Sequence, residues 1–314
     1  ICGGTALAAS DAGFKTITFK PVAESATRVA AMQSGDAQIT WSVPTESVDT
    51  LKADSNVSVG EGDSITVYYF FMNNQKKPFN DVRVRQAIAY AINKEAYVQV
   101  VWNGYGSVAT SMIGEEVQHY KANDPYPYDP EKAKELLAEA GYPDGFTTSL
   151  IYSNTTGNQK AAEFYKQQLA EVGITLELEG MESALVNEKV QGADVPGSEA
   201  EVECYMSGWS TSTGDADWGL RPMLAIESEP PMSYNISYYE NEEVDQLLKD
   251  GLSTADEEKR ADIYAQIQDI VWEEVPLVCI ANSANLWATS SNITGVYLLG
   301  DGSVCMRNAR MAGE

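Results

Sequence analysis

The chain has 314 residues, 44% of them hydrophobic and 10% aromatic, enough to bury a large core and to form more than one domain. Acidic residues outnumber basic ones 46 to 21, a formal charge of −25, which excludes nucleic acid as a natural partner because phosphate contacts need Lys and Arg. No apolar run is long enough to span a bilayer, and Ile1-Cys-Gly-Gly has neither an initiator Met nor a signal-like apolar stretch, so the chain is expected to begin inside a longer parent.

In chain order, residues 15–20 alternate as a strand, 25–33 read as a short helix ending at Gly35, and 37–41 as a strand. A helix over 45–52 with Thr45 as N-cap and an aromatic-rich strand over 65–73 follow. Tyr68, Tyr69, Phe70 and Phe71 alternate along that strand, so one pair is expected in the core and the other facing a cleft. Residues 74–78 break the pattern and mark a candidate crossover. Asn80 and Asp81 open a helix whose Val84, Ile88 and Ala91 share one face. Asp129 is an N-cap before Pro130 at the first helical position, and Gly141 closes that helix. A strand over 146–152, an amphipathic helix over 158–172 stopped by Gly173, and an alternating strand over 174–179 come next. Residues 203–207 read as a short strand and 215–224 as a short helix. Helices follow over 242–249 and after the capping box Thr254-Ala-Asp-Glu257, then strands over 277–288 and 296–306. Strands alternating with helices predict an α/β architecture.

The most informative stretch is 207–224. Ser210, Thr211, Ser212 and Thr213 lie between Trp209 and Trp218 and lead through Gly214 into Asp215 and Asp217. A strand feeding a hydroxyl-rich turn at a helix start gathers side-chain donors and free backbone N–H groups, and aromatic faces on either side can hold an organic ligand. A core would not take so many polar side chains in a row, which favours a pocket. Asp215 and Asp217 suggest a paired-carboxylate hydrolase, but two residues apart on a helix they point to different faces, so helix N-terminal stabilisation explains them better. His119 is the single histidine; it cannot belong to a multi-His metal site and is expected in a surface loop. Arg83 and Arg85 read as structural ion-pair residues at a helix start rather than carboxylate binders. Cys2, Cys204, Cys279 and Cys305 lack metal-ligand spacing; free buried thiols are expected, with a Cys279–Cys305 disulfide left open. No residue set points to a cofactor or a metal.

The run Gly208-Trp-Ser-Thr-Ser-Thr-Gly-Asp-Ala-Asp-Trp resembles the signature of the extracytoplasmic solute-binding proteins, family 5, of peptide-type ABC importers. The resemblance extends through Phe19-Lys-Pro-Val-Ala, the run from Lys77-Pro-Phe-Asn-Asp-Val-Arg, the run Pro127-Tyr-Asp-Pro-Glu-Lys-Ala-Lys-Glu-Leu-Leu, and Ser290-Ser-Asn-Ile-Thr-Gly-Val-Tyr, and is strongest to the glutathione-binding branch. It implies a two-lobed clamshell of the type II periplasmic-binding-protein kind, truncated at its N-terminus, with one lobe from 1–74 and 284–314 and a second from 75–283 joined by hinge crossovers. It further implies a non-catalytic monomer outside the cytoplasm, in the periplasm or at the cell surface and lipid-anchored through a preceding segment. Such a component passes glutathione or a short peptide to permease subunits; binding of another solute, or a secreted hydrolase, are the alternatives. Family ligand positions fall at Met72 and Asn73, at Ser153, Asn154 and Thr155, and at Trp209 through Thr213, with Asp215 and Trp218 adjoining. Peptide-binding relatives carry an aspartate for the peptide amine where this chain has Ser212. That departure implies a glutathione-type ligand rather than a peptide held by its amine.

Overall fold

A computed structural model describes residues 13–192 and 194–312. Its elements run α1 (Ser25–Ser34), β1 (Ile39–Trp41), a 3₁₀ turn at Thr45–Ser47 into α2 (Val48–Lys52), β2 (Val57–Met72), α3 (Val82–Ala91), α4 (Lys94–Val101) and β3 (Gly106–Val108). Then follow α5 (Pro130–Glu139), β4 (Thr147–Ser153), α6 (Thr156–Ala170), β5 (Thr175–Met181), α7 (Ser183–Gln191), β6 (Cys204–Ser210) and α8 (Ala216–Leu224). The chain continues through α9 (Glu242–Ser253), α10 (Glu257–Glu274) and β7 (Leu277–Ser290), with four two-residue strands closing it, β8 (Ile293–Thr294), β9 (Tyr297–Leu298), β10 (Val304–Cys305) and β11 (Arg310–Met311). Helix starts are set by side chains: Asp81, Asn93, Asp129, Thr155, Asp215, Asn241 and Asp256 each accept a backbone N–H from the first turn they precede.

The chain divides into two compact units, Ile65–Ser283 and a second made of residues up to Ser64 with those from Ala284 onward, so β2 and β7 each contribute to both. In the second unit, β1 pairs antiparallel with the later part of β7, and Val29, Met32, Val48, Leu51, Leu286 and Ala288 are buried. In the Ile65–Ser283 unit the strands lie in the order β7-β2-β6-β4-β5, with β3 paired to β7. Strand β4 runs parallel to β5 and to β6, and β6 runs antiparallel to β2. Alternate residues of the same strands feed two separate cores. Phe70, Met72, Leu150, Cys204, Met206 and Ile280 pack with α3 to α6 on one face. Tyr69, Phe71, Ile151, Leu277 and Cys279 pack with α7 to α10 on the other. The result is a three-layer α/β/α sandwich, as expected of strands buried on both faces. The β4–α6–β5 crossover needs a glycine at its base. A Cβ on Gly145, at φ +77°, would stand 2.0 Å from the Gly173 carbonyl oxygen.

Several sequence expectations change. Residues 15–20 form no strand; their side chains are exposed, and alternation alone does not bury a face. Two helices the periodicity did not reveal, α4 and α7, are short and follow closely on a preceding helix and an edge strand. Asp256, not Thr254, caps α10; the Thr254 hydroxyl instead accepts the Asp256 amide at 3.2 Å. The strand expected over 296–306 reduces to the hairpin β9–β10. Of the Tyr68–Phe71 run, Tyr69, Phe70 and Phe71 are buried in the two cores, and Tyr68 alone is half-buried and borders a cavity. Cys204, Cys279 and Cys305 are free thiols, and Cys2 lies outside the described residues.

Candidate functional site

Strand β6 runs three residues beyond its expected end at 207, closing with Gly208, Trp209 and Ser210. The turn after it closes on itself: the Ser212 amide donates to the Ser210 carbonyl at 3.0 Å and the Gly214 amide to the Thr211 carbonyl at 2.8 Å. Gly214 takes the left-handed conformation, φ +70°, that delivers Asp215 to the N-cap of α8. Because side chains alternate on a strand, Trp209 and Ser210 face opposite sides of the sheet. Trp209 lies on the side of α8, where its indole N–H donates to the Trp218 carbonyl at 3.0 Å and its ring meets Trp218 and Tyr234 with centroids 6.0 and 4.7 Å away. Thr211 turns inward and is buried against Gly219 of α8, where a Cβ would reach 3.1 Å from its hydroxyl and 2.4 Å from Ile113. Ser212 and Thr213 are exposed. The four hydroxyls of the run therefore do not converge: Ser210 borders a cavity, Thr211 packs inward, and Ser212 and Thr213 face solvent.

The acidic residues after the turn are held by arginines. Arg260 donates through Nη1 and Nη2 to the two Asp215 oxygens at 2.6 and 2.8 Å. This fork holds the Asp215 carboxyl below the usual carboxylate range. Arg221 grips Asp217, its Nη2 at 2.8 Å from one oxygen and its Nε at 3.1 Å from both. His119 does lie in the loop between β3 and α5, but it is not turned to the surface. Its side chain is buried, with Nε2 accepting from Arg260 at 3.1 Å and its ring stacked on Tyr264. The sequence around it is polar, and the α10 residues that cover it lie some 140 positions away in the chain. Arg83 pairs with Asp81, and Arg85 is buried with four hydrogen bonds to the carbonyls of Phe79, Glu274 and Val275. Both are structural.

A cavity of about 300 Å³ opens within the Ile65–Ser283 unit at the carboxyl ends of β4 and β6 and beside the first turns of α6. Ser153 ends β4, Ser210 ends β6, and Asn158 and Ala161 come from α6. Tyr68, Tyr97 and Tyr165 line it on the α6 side, and Tyr205, whose ring packs on Phe71 across the sheet, borders it. The register pairs Tyr68 with Gly208 and Thr66 with Ser210. A Cβ on Gly208 would come within 3.0 Å of the Tyr68 ring, so the glycine lets that ring lie close over β6. Tyr68 is steadied edge-on by Trp102 at 5.1 Å, and Tyr97 and Tyr165 stack at 5.4 Å and 13°. The Ser210 Oγ is buried without a hydrogen-bond partner. Of the residues expected from the sequence, Ser153 and Ser210 come together here. Asn154 and Thr155 sit at the exposed start of α6, where Thr155 is the cap, while Asn73 is buried with its amide given to the Gly197 and Val202 carbonyls. Tyr97, Tyr165, Tyr205 and Asn158 were not singled out from the sequence; the one compositional hint was 17 Tyr against 7 Phe. Among the described residues, no group of three or more His, Cys, Asp or Glu could hold a metal ion and no helix is long and apolar enough to cross a membrane.

Comparison with known proteins gives the same family as the motif. The family described as bacterial extracellular solute-binding proteins, family 5 middle, matches residues 8–228. The glutathione-binding protein GsiB of Escherichia coli (strain K12) is 38% identical over 287 residues, covering 91% of this chain and 56% of the relative. Among solved structures, the periplasmic binding protein DppA from Helicobacter pylori, in complex with the peptide STSA, aligns with a TM-score of 0.80 at 29% identity, over 87% of this chain and 52% of that one. The dipeptide-binding protein from Pseudoalteromonas sp. SM9913 in complex with Met-Leu aligns at 0.78 and 25%, over 92% of this chain and 56% of that one. The chain thus spans about half the length of the relatives it matches. It belongs to the family 5 extracellular solute-binding proteins, whose fold is the type II periplasmic-binding-protein fold.

Proposed function

We propose that this family 5 protein carries ligand-binding machinery of an ABC importer, taking glutathione or a short peptide outside the cytoplasm and delivering it to a membrane permease. The observation that carries this reading is the tyrosine-walled cavity at the carboxyl ends of β4 and β6, with the unpartnered Ser210 hydroxyl buried beside it. Open α/β sheets bind ligands at that end of their strands, and a concave site with a few polar groups is the form such sites take. The names of the relatives support the ligand class: one is a glutathione-binding protein and two bind peptides. In this reading Ser153 and Ser210 contact the ligand directly, and Trp209, Trp218, Asn154 and the Ser212–Thr213 tip border its approach.

The protein acts by binding and release, without turnover. A hydrolase of the two-carboxylate kind needs one carboxyl raised in pKa and free to give a proton. Asp215 is shifted the other way by Arg260, and Asp217 is clasped by Arg221. The component works as a monomer, in the periplasm or on the cell surface, where a lipid anchor can retain it. Calorimetric titration and thermal-shift assays on the intact protein against glutathione, di- and tripeptides, other thiols and sugars test the reading. Saturable binding of glutathione or a peptide is expected; silence across the whole panel would sink it. A hydrolytic turnover that disappears in Asp215→Asn/Asp217→Asn would overturn the non-catalytic assignment.

A further inference from the structure

The Ile65–Ser283 cavity has a chemistry narrower than glutathione or any short peptide. None of its lining residues carries a charge at neutral pH. The phenols that wall it stay neutral, since burial pushes the Tyr68 and Tyr165 hydroxyls above their ordinary range. Arg221 and Arg260, which flank the tryptophan segment, are each committed to an aspartate through two or more hydrogen bonds. A carboxylate or ammonium placed in the cavity would lose its hydration and meet no counter-charge there. The charged parts of a ligand must therefore lie outside it.

What the cavity does offer is aromatic surface and one unused hydrogen-bonding group. Tyr68 presents its ring, already fixed edge-on by Trp102, and the buried Tyr97–Tyr165 stack backs the cavity, so a flat apolar group laid against Tyr68 meets a preorganised wall. The volume, about 300 Å³, is at the lower end of the range for small-molecule sites, room for one side chain rather than a whole peptide. The Ser210 Oγ is buried and unpartnered, and a ligand atom that hydrogen-bonds to it relieves the cost of that orphan group.

We infer that this cavity accepts one uncharged aromatic side chain of a short peptide, tyrosine-like rather than acidic, with a polar atom of that side chain meeting Ser210 Oγ. The inference rests on the peptide branch of the proposed function and sets glutathione, which has no ring, below an aromatic peptide. The test is calorimetry on the intact protein with tripeptides of alanine in which Tyr, Phe or Glu is moved through each position. At one position Tyr and Phe are expected to bind about tenfold or more tighter than Ala, from the apolar area buried, with Glu weaker than Ala. Ser210→Ala should then lower the Tyr affinity about three- to tenfold and leave the Phe affinity unchanged. Affinities that stay flat across the series would overturn the cavity assignment while leaving the proposed function intact. Equal losses for Tyr and Phe in Ser210→Ala would overturn the role given to that hydroxyl. Failure of every peptide to bind would overturn the peptide reading itself, and this inference with it.

Discussion

Replacing Asp215 by Asn separates two jobs that one carboxylate does. As N-cap of α8 it accepts the Asp217 amide at 2.8 Å, and as an anion it holds both terminal nitrogens of Arg260. Asparagine is as good a cap as aspartate, so the capping bond survives and only the charge is lost. Arg260 is then left with its side chain 13% exposed and its compensation reduced to the Gly251 carbonyl, the His119 ring and the Tyr264 phenol. Breaking a fully buried pair costs about 3–5 kcal/mol. Here the carboxylate is 25% exposed and the arginine keeps neutral partners, which brings the expected loss to about 2–3 kcal/mol. Urea unfolding of the Ile65–Ser283 unit, followed by tryptophan fluorescence, measures it, and Arg260→Met completes a double-mutant cycle whose coupling should be about 1–3 kcal/mol. The pH dependence has a fixed sign. The folded carboxyl lies below its unfolded value of about 4, so its contribution is complete above that pH and fades as the pH falls through the lowered value. Asp215→Asn should flatten that acid limb. A loss under about 0.5 kcal/mol, or no coupling with Arg260→Met, would refute the claim that this pair fixes the end of the tryptophan turn.

Thr211→Val should leave ligand affinity within about twofold in calorimetry, since its side chain packs into the core against Gly219 rather than into the cavity, and a loss comparable to Ser210→Ala would place it at the ligand instead. Lys94 is buried with its ammonium held only by the Ala89 and Tyr126 carbonyls at 2.7 and 3.0 Å, and burial pulls its pKa down to about 8. Its folded value lies below the unfolded one, so the unfolded chain holds the extra proton and stability rises with pH from about 8 upward, by about 3 kcal/mol at most. Denaturation midpoints from pH 7 to 9.5 should climb in the parent relative to Lys94→Met; parallel curves would show that Lys94 does not titrate in this range. Half-buried tyrosines such as Tyr126, raised to about 12, act in the opposite sense above pH 10, which is why the window stops short of it.

The elements whose determinants are local were legible in the sequence. Asp81 and Asp129 with Pro130 announce helix starts through the hydrogen bonds they make to their own first turns, and those helices form there. Features set by distant partners were not legible. His119 stands among polar neighbours and reads as exposed, yet its burial is decided by Arg260 and Tyr264 on a helix far along the chain. The hydroxyl run was recognisable as unusual, but its use was not. Whether Thr211 faces solvent or core depends on Gly219, which leaves room for α8 to close over the turn. Whether Trp209 and Ser210 share a face depends on β6 continuing through both, which its pairing with Thr66 and Val67 of β2 enforces.

That pairing is also what joins the run to the cavity. Once β2 fixes the register, Ser210, Gly208 and Met206 must face the α6 side with Tyr68, while Trp209 must face α8. A site built as a hydroxyl ladder between two tryptophans would need all of these on one surface, which a strand cannot provide. The tyrosines of β2, α4 and α6 line the cavity instead, with the unpartnered hydroxyl of a single serine at the strand end beside them. The same alternation makes the two faces separable by mutation: changes at Trp209 act on the packing with Trp218 and Tyr234, and changes at Ser210 act on the cavity. The motif that identifies the family thus adjoins this cavity, and the register of β6 on β2 decides which of its residues line it.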